Sequence, residues 1–306
     1  MKTFINQSMY EIYESLKEDV SKIAFHEVVY FVIINPDCTE CTQTFQKAFR
    51  SYKALTNLAE ILFCTMTTPE ILSDNWIKIG FKKLDTTNSF HASLENSSEK
   101  YGEDSLFATI SKNSEPSFVV PYIHALKRVK LEKKCRVLNL GINSGDEFEV
   151  IKEVFKTIKH IEFVGIDYCQ SAINKAKERF KEESNFQFYA HDINDLERLN
   201  LGKFDLIITI GTLQSSTIDF KVMFMHLIQN YLEKKGSLLL GFPNCRWCDN
   251  EMIYGAKMPN YSFSEMTLLY KDVYFCKKYL QQKKFQVTLT GKEYVFLTAN
   301  ALLTSS

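Results

Sequence analysis

From Pro121 onward, short apolar runs alternate regularly with segments of helical periodicity. Strands separated by helices at this spacing form right-handed crossovers, which favour a parallel sheet with helices on both faces. The predicted strands are 136–140, 162–167, 186–190, 204–210 and 237–242, and the predicted helices are 122–129, 146–159, 171–182 and 219–233. This half of the chain is therefore predicted to be an α/β, doubly wound domain.

The end of the chain departs from this alternation. A lysine-rich helical segment, 264–284, leads to two strand-like runs, 285–290 and 293–299, separated by Gly291-Lys292. A two-residue turn containing glycine is typical of a β-hairpin, so the last strand must run antiparallel to its neighbour. With the hairpin, the predicted sheet has seven strands.

The first 115 residues follow a different pattern. A Ser-capped helix is predicted over 8–24, a buried strand over 28–34, a helix over 39–62 and another over 70–81, with Pro69 in its first turn. Residues 85–103 are polar and predict a loop or linker. We therefore expect two domains: a mostly helical α/β cap region at 1–115 and the doubly wound domain at 116–306.

The segment 135–146 predicts a ligand-binding loop, because a strand ending in Leu140 turns through glycines into a helix. Such a turn brings unpaired N–H groups and the positive end of a helix to one point. A phosphate-binding P-loop is excluded, since acidic Asp146-Glu147 stands where Lys-Ser/Thr is required. A dinucleotide fingerprint fits poorly, because Asn143 and Asp146 occupy two of its glycine positions.

The same loop resembles the first motif of the class I S-adenosylmethionine (SAM)-dependent methyltransferases, a Rossmann-like family. The resemblance of the chain to this family covers about residues 116–300. The resemblance implies SAM as cofactor. Gly141 and Gly145 match the motif, Asn143 replaces its middle glycine and Asn139 replaces its acidic residue. Asn adopts left-handed backbone angles more readily than most residues, so we expect an Asn143→Gly variant to bind SAM at least as well as the unchanged protein.

Later strand ends extend the resemblance. Asp167 stands where the family's acid accepts hydrogen bonds from the ribose hydroxyls, and a carboxylate suits this role because two oxygens accept two O–H donors. Each residue alone has an ordinary alternative as a helix cap or turn residue; their combination at successive strand ends indicates the cofactor site. The resemblance implies these cofactor-binding residues: Asn139, Gly141, Asn143, Gly145, Asp167, Tyr168, Asp192, Ile193 and Gly211.

Candidate substrate residues follow strand 237–242, since ligands of open α/β sheets bind beyond the carboxyl ends of the strands. These are Asn244, Trp247, Glu251 and Tyr254. The alternative is that the aromatic residues only pack this loop onto the sheet. Candidates for a general base are His124, His191, His226, Glu251 and Tyr254. None has supporting spacing, so no catalytic residue is assigned.

Two Cys-x-x-Cys pairs, Cys38/Cys41 and Cys245/Cys248, allow three interpretations. Four thiolates form a tetrahedral zinc site, but the pairs are far apart in the sequence. A thioredoxin-like role for the first pair lacks the later strands of that fold. Ordinary reduced thiols are the simplest interpretation, and no metal site is predicted.

Composition bears on the methyl acceptor. Thirty-seven basic residues balance thirty-seven acidic ones, which argues against a generally basic nucleic-acid-binding surface. We therefore expect a cytoplasmic enzyme, without signal peptide or membrane span, that methylates a small molecule. An RNA or protein acceptor remains open through the lysine-rich segment 271–292, and so does a non-catalytic SAM-fold binding module. The oligomeric state is left open.

Overall fold

The computed structural model describes residues 1–38, 50–89, 101–102, 105–256 and 265–302. The chain separates into two compact units. One contains residues 1–92 and 247–253, and the other contains residues 93–246 and 254–306.

The first unit contains a five-stranded sheet with helices packed against it. Ser8 and Glu11 form a reciprocal capping box at the start of its first helix, which satisfies two N–H groups there. The elements of this unit are β1 (Lys2–Phe4), α1 (Met9–Lys22), β2 (Val28–Ile34), α2 (Tyr52–Ile61), β3 (Cys64–Met66), β4 (Glu70–Ser73) and β5 (Trp76–Lys83). Strands β2 and β5 pair antiparallel, β1 runs parallel to β2, and β3 and β4 both pair with β5.

The predicted helix 70–81 is wrong, because this segment forms β4 and β5. Ile77, Ile79 and Phe81 are fully buried at every second position, which is the period of a strand with one face in a core. Ile71 and Ser73 of β4 pair with β5 through a tight turn. Helix α1 and strand β2 agree with the prediction, as does α2 for the described end of the predicted helix 39–62; residues 39–49 lie outside the described residues.

The second unit contains the predicted seven-stranded sheet. The elements from residue 116 onward are α3 (Pro116–Arg128), β6 (Arg136–Leu140), α4 (Asp146–Val154), β7 (Glu162–Asp167), α5 (Gln170–Arg179), β8 (Phe186–Ala190), β9 (Phe204–Ile210), α6 (Phe220–His226), β10 (Leu232–Pro243), β11 (Cys245–Cys248), β12 (Glu251–Tyr254), α7 (Thr267–Gln282), β13 (Phe285–Gly291) and β14 (Tyr294–Ala301). Strands β11 and β12 form a separate hairpin, whose residues 247–253 belong to the first unit.

The order of the large sheet is β13-β14-β10-β9-β6-β7-β8. Strands β6 to β10 are mutually parallel, and β14 runs antiparallel to both β10 and β13, which confirms the predicted hairpin. The order reverses between β6 and β9. In a doubly wound sheet a ligand binds at the carboxyl ends of the strands on either side of this switch point.

Large side chains cover both faces of the sheet and fix the position of that edge. On one face, the rings of Phe163 and Phe186 stack with centroids 4.5 Å apart, and Phe148 packs edge-on against Phe163 at 5.2 Å. On the other face, Leu138 and Leu140 lie in an apolar cluster with residues of α6 and α7. Because β6 is buried on both faces, its sequence is almost continuously apolar.

The compact units do not divide the chain where the sequence places its domains. The units separate at 92/93, so residues 105–115 pack with the second unit rather than with the first. The functional division at 115/116 stays a prediction. The first unit is α/β as expected, with more strand than the sequence indicates.

A matched pair of leucines tests the packing of the C-terminal hairpin. Leu297 of β14 is fully buried and pairs directly with Leu289 of β13, which is 41% exposed. We expect Leu297→Ala to lower the free energy of unfolding by about 2–5 kcal/mol, because it removes buried methyl groups and leaves a cavity. Leu289→Ala should cost less than about 1 kcal/mol. Urea denaturation measures both, and equal losses would contradict the placement of β14 in the core.

Candidate functional site

The loop after β6 has the backbone that its sequence predicts. Gly141, Asn143 and Gly145 have φ angles of +73°, +48° and +93°. Asn143 therefore adopts the left-handed conformation expected of the glycine whose place it takes in the motif. A Cβ atom on Gly141 would lie 1.9 Å from Oγ1 of Thr212, which itself donates a hydrogen bond to the carbonyl of Leu140. Glycine is therefore required at 141 both by the backbone angle and by the approach of Thr212.

Asp167 at the end of β7 fastens this loop. Its Oδ2 accepts the N–H of Asn143 at 3.0 Å, and its Oδ1 accepts the N–H of Cys169 at 3.0 Å. The side chain is buried, and burial raises the pKa of its carboxyl although these backbone donors oppose the shift. Each carboxylate oxygen has a further lone pair, so the group retains the capacity to accept O–H donors from a ligand.

Asn139 is the next-to-last residue of β6, with no exposed surface. Neither Oδ1 nor Nδ2 of its side chain has a hydrogen-bond partner among the described residues. A buried polar atom left unsatisfied costs about 1–3 kcal/mol. An amide offers one acceptor and two donors, so the Asn139 side chain is suited to a zwitterionic group, reached directly or through water.

The other predicted cofactor residues differ in what surrounds them. Tyr168 is 45% exposed directly after Asp167, while Ile193 is buried in the apolar core. Asp192 caps a short 3-10 helix, and its Oδ1 accepts hydrogen bonds from both the backbone and the side chain of Asn194. Gly211 has a φ of +77° at the end of β9, next to the turn that carries Thr212. The cofactor roles of all nine residues stay predictions.

Residues 101–102 and 105–114 lie across the glycine loop and the first turn of α4, all within the second unit. The Asn143 side chain donates a hydrogen bond to the carbonyl of Tyr101 at 2.7 Å. Asn113 donates to the carbonyl of Asp146 at 3.0 Å and to Glu149 at 3.3 Å. A cavity of about 220 Å³ lies beneath this segment, lined by Tyr101, Phe107, Asn113, Asn143, Ser144 and Arg179, among others.

A buried ion pair anchors the same segment. Nζ of Lys112 lies 2.8 Å from Oε1 of Glu147, and their side chains are 12% and 1% exposed. Burial raises the pKa of Glu147; burial alone would lower the pKa of Lys112, but the carboxylates of Glu147, Asp146 and Asp167 reverse that shift. Lys112 is therefore a positive charge shared by three carboxylates around the glycine loop, and Arg179 supplies a second one to Asp146 at 2.8 Å.

The candidate substrate residues do not form one cluster within a unit. Asn244 is buried and braces the hairpin turn, since its Nδ2 donates to the carbonyl of Lys292 at 3.1 Å. The Tyr254 ring lies under Nζ of Lys292 at 5.0 Å. Trp247 and Glu251 belong to the first unit, where Trp247 is buried and Glu251 is exposed. Their role in substrate binding stays a prediction.

Two of the candidate histidines contact residues four positions later in the chain. Nε2 of His191 lies 2.9 Å from the carbonyl of Asp195, Nδ1 of His226 lies 2.8 Å from the Asn230 amide, and His124 is exposed on α3. Cys245 is buried, and burial raises the pKa of its thiol to about 12. Cys41 lies outside the described residues. Within the described part of the chain, no three His, Cys, Asp or Glu side chains converge as a metal site would require.

Comparison with known families decides the identity of this fold. The family model described as a methyltransferase domain matches residues 131–290, slightly more than half of the chain. The chain belongs to this methyltransferase family. It is an enzyme of the class I, Rossmann-like type, and its methyl donor is SAM.

Solved structures of other methyltransferases are similar in fold to this one. A SAM-dependent methyltransferase from Aquifex aeolicus shares 14% identity over 68% of this chain and 100% of its own, with a TM-score of 0.45. The N-methyltransferase NodS from Bradyrhizobium japonicum WM9, in complex with S-adenosyl-L-homocysteine (SAH), shares 15% over 62% and 90%, with a TM-score of 0.43. A search among curated proteins finds no match.

The residues of this methyltransferase fit its cofactor. The Asn139 side chain on β6 has an unsatisfied amide, and the Asp167 carboxylate on the adjacent strand β7 can accept further hydrogen bonds. Both lie next to the start of the glycine loop. SAM carries an amino-acid end and a ribose, which need an amide or charged partner and a pair of acceptors respectively. Sequence reasoning missed Tyr101, Lys112 and Glu147, because a polar stretch and an acidic first helical turn carry no distinctive spacing.

The methyltransferase should depend strongly on Lys112 for stability. We expect Lys112→Met to lower the free energy of unfolding by about 3–5 kcal/mol, because it leaves the Glu147 charge buried without a partner. Adding Glu147→Gln should restore much of that loss.

Lys152→Met is the matched control, since Lys152 pairs with Glu183 where both side chains are more exposed. The Lys152→Met substitution should change the free energy of unfolding by no more than about 1 kcal/mol. Chemical denaturation of the four proteins makes the comparison. A loss for Lys112→Met no larger than for Lys152→Met would show that the buried pair is not formed.

Proposed function

We propose that this enzyme transfers the methyl group of SAM to a small-molecule acceptor at the carboxyl edge of β6 and β9. The observation that carries the proposal is the covering of the glycine loop by the chain's own residues 101–102 and 105–114, through hydrogen bonds from Asn143 and Asn113. A site covered in this way favours an acceptor that can enter a pocket over a polymer that must lie across it.

Each part of SAM has its own proposed binding residues. Asp167 would accept the ribose hydroxyls, Asn139 would face the amino-acid end, and Tyr168 would line the adenine with Asp192 and Ile193 beyond it. Bound SAM supplies an activated methyl group on a sulfonium. Positioning the acceptor in line then provides much of the rate, so the chain needs to bind and orient more than to exchange protons.

The topology weighs against a polymer acceptor held by Lys283 and Lys284. Lys292 of the same lysine-rich segment differs, since it lies in the turn between β13 and β14, next to the carboxyl end of β10. Phe285, where β13 begins, pairs with Ala301, and Ser237 pairs with Asn300, so β13 and β10 start at the same edge of the sheet. Lys283 and Lys284 immediately precede Phe285 and therefore lie at that edge. The glycine loop follows the end of β6 and lies at the opposite edge. A nucleic acid bound by these lysines would be a sheet's length away from the methyl group.

A labelling experiment tests the acceptor class. The enzyme is incubated with SAM bearing a deuterated methyl group and an extract of its source cells, and the products are separated by ultrafiltration. We expect labelled methyl groups in the low-mass fraction and none in RNA or protein. A parallel variant, with Lys277, Lys278, Lys283 and Lys284 changed to Ala, should label the same fraction at an unchanged rate.

Label in RNA or protein that depends on these four lysines and falls steeply with added salt would contradict the proposal, since salt dependence is characteristic of phosphate contacts. No label in any fraction, together with no SAH binding, would favour the non-catalytic binding module.

Cofactor affinity should depend on the protonation of Asp167. Because burial raises the pKa of this carboxyl, it gains a proton at a pH above its ordinary value of 3.8. A protonated carboxyl cannot accept from both ribose hydroxyls, so we expect the affinity for SAH to be constant near neutrality and to decrease as pH falls toward the raised pKa. Calorimetric titration measures it. Asp167→Asn should bind weakly without this pH dependence; the same dependence in that variant would assign it to another group.

A further inference from the structure

Asn143 has a left-handed backbone conformation, which is costly for a residue other than glycine; the other two left-handed positions of the loop, 141 and 145, are glycines. A left-handed residue other than glycine costs roughly 1–2 kcal/mol, and less for Asn. In return, the Asn143 side chain makes two hydrogen bonds: its Oδ1 accepts the N–H of Ser144 at 2.7 Å, and its Nδ2 donates to the carbonyl of Tyr101 at 2.7 Å. Glycine could make neither bond, so Asn143 ties the cofactor loop to a residue 42 positions earlier.

The hydrogen bond to the Tyr101 carbonyl holds the backbone from which the tyrosine ring projects. The ring packs edge-on against Tyr168, with centroids 6.3 Å apart and an interplanar angle of 81°, and edge-on against Phe107 at 5.1 Å. Tyr168 directly follows Asp167, whose carboxylate accepts the N–H of the same Asn143. Burial raises the pKa of the Tyr101 phenol, and the Asp167 charge adds to the shift, which is consistent with a ring near that carboxylate.

We propose that Tyr101, held in place by Asn143, is a binding residue for the nucleoside part of SAM and completes an aromatic wall with Tyr168. The inference rests on the proposed role of Asp167 at the ribose. An aromatic face stacks on a base or packs against a sugar with little dependence on directional bonds. Tyr101, which lies before α3 in the chain, thus adds an aromatic contact to the nucleoside beyond those of the residues at the strand ends.

This assignment reverses the expectation from the loop motif alone. The motif predicts that Asn143→Gly binds SAM at least as well as the unchanged enzyme, because glycine relieves the left-handed strain. The hydrogen bond to Tyr101 predicts the opposite, since the variant releases the ring while leaving the loop free to keep its shape.

The test measures SAH binding by calorimetry, with thermal melting to confirm that each variant folds. We expect Tyr101→Leu to weaken binding about tenfold, the size expected for one lost aromatic contact to a base, and Tyr101→Phe to stay close to the unchanged enzyme. Tyr270→Leu, a change at a 65% exposed tyrosine on α7, is the matched control and should have no effect. Unchanged or tighter binding by Tyr101→Leu would overturn the proposal.

A double-mutant cycle isolates the role of Asn143. Asn143→Gly should weaken SAH binding several-fold while leaving the melting temperature nearly unchanged, and should add little in the background of Tyr101→Leu, because both remove one interaction. Full additivity, or no loss in Asn143→Gly, would show that Asn143 does not act through Tyr101.

Asp167→Ala separates this inference from the function on which it rests. If Asp167→Ala weakens binding and Tyr101→Leu does not, the inference alone is wrong. If the unchanged enzyme fails to bind SAH, or Asp167→Ala binds as tightly as it does, the proposed cofactor site is wrong and the inference falls with it.

Discussion

The carboxylate of Asp167 is the interaction on which the site depends. Its two oxygens accept N–H groups from two neighbouring connections, from Asn143 on the loop after β6 and from Cys169 at the start of α5. These bonds fix the end of β7 against the glycine loop, and the loop in turn positions Tyr101. Since the charge is buried, its energetic cost is offset by the donors and by nearby Lys112. The group that fixes this part of the fold is therefore also the one that we propose for the ribose hydroxyls.

Much of the second unit could be predicted because its determinants are local. Each parallel strand is a short apolar run, and Gly291-Lys292 alone indicates an antiparallel end. The left-handed Asn143 follows from residue type and position in the loop. The helices were also found, although α4 ends at Val154 where the pattern extends to 159. Periodicity fixes where an element exists better than where it stops.

What could not be predicted depends on contacts distant in sequence. The segment 70–81 has apolar residues that suit either period, and pairing of β5 with β2 decides in favour of strand. Neither the hydrogen bond from Asn143 to Tyr101 nor the pairing of Lys112 with Glu147 has any local signature. Such contacts join a polar connecting segment to a helix more than 30 residues later, and sequence spacing carries no information on which partners will meet.

The hairpin of β11 and β12 has a consequence for biosynthesis. The first unit includes residues 247–253, and Cys248 and Ile253 are buried against its Leu84. During translation domains ordinarily fold in order from the N-terminus. The main core of the first unit contains only residues between Phe4 and Phe81, so it can form early. Leu84, in contrast, is covered by Cys248 and Ile253 only after residue 253 has left the ribosome, when all the parallel strands of the second unit already exist. The nascent chain must therefore leave the apolar surface at Leu84 uncovered while the parallel strands of the second unit are synthesised.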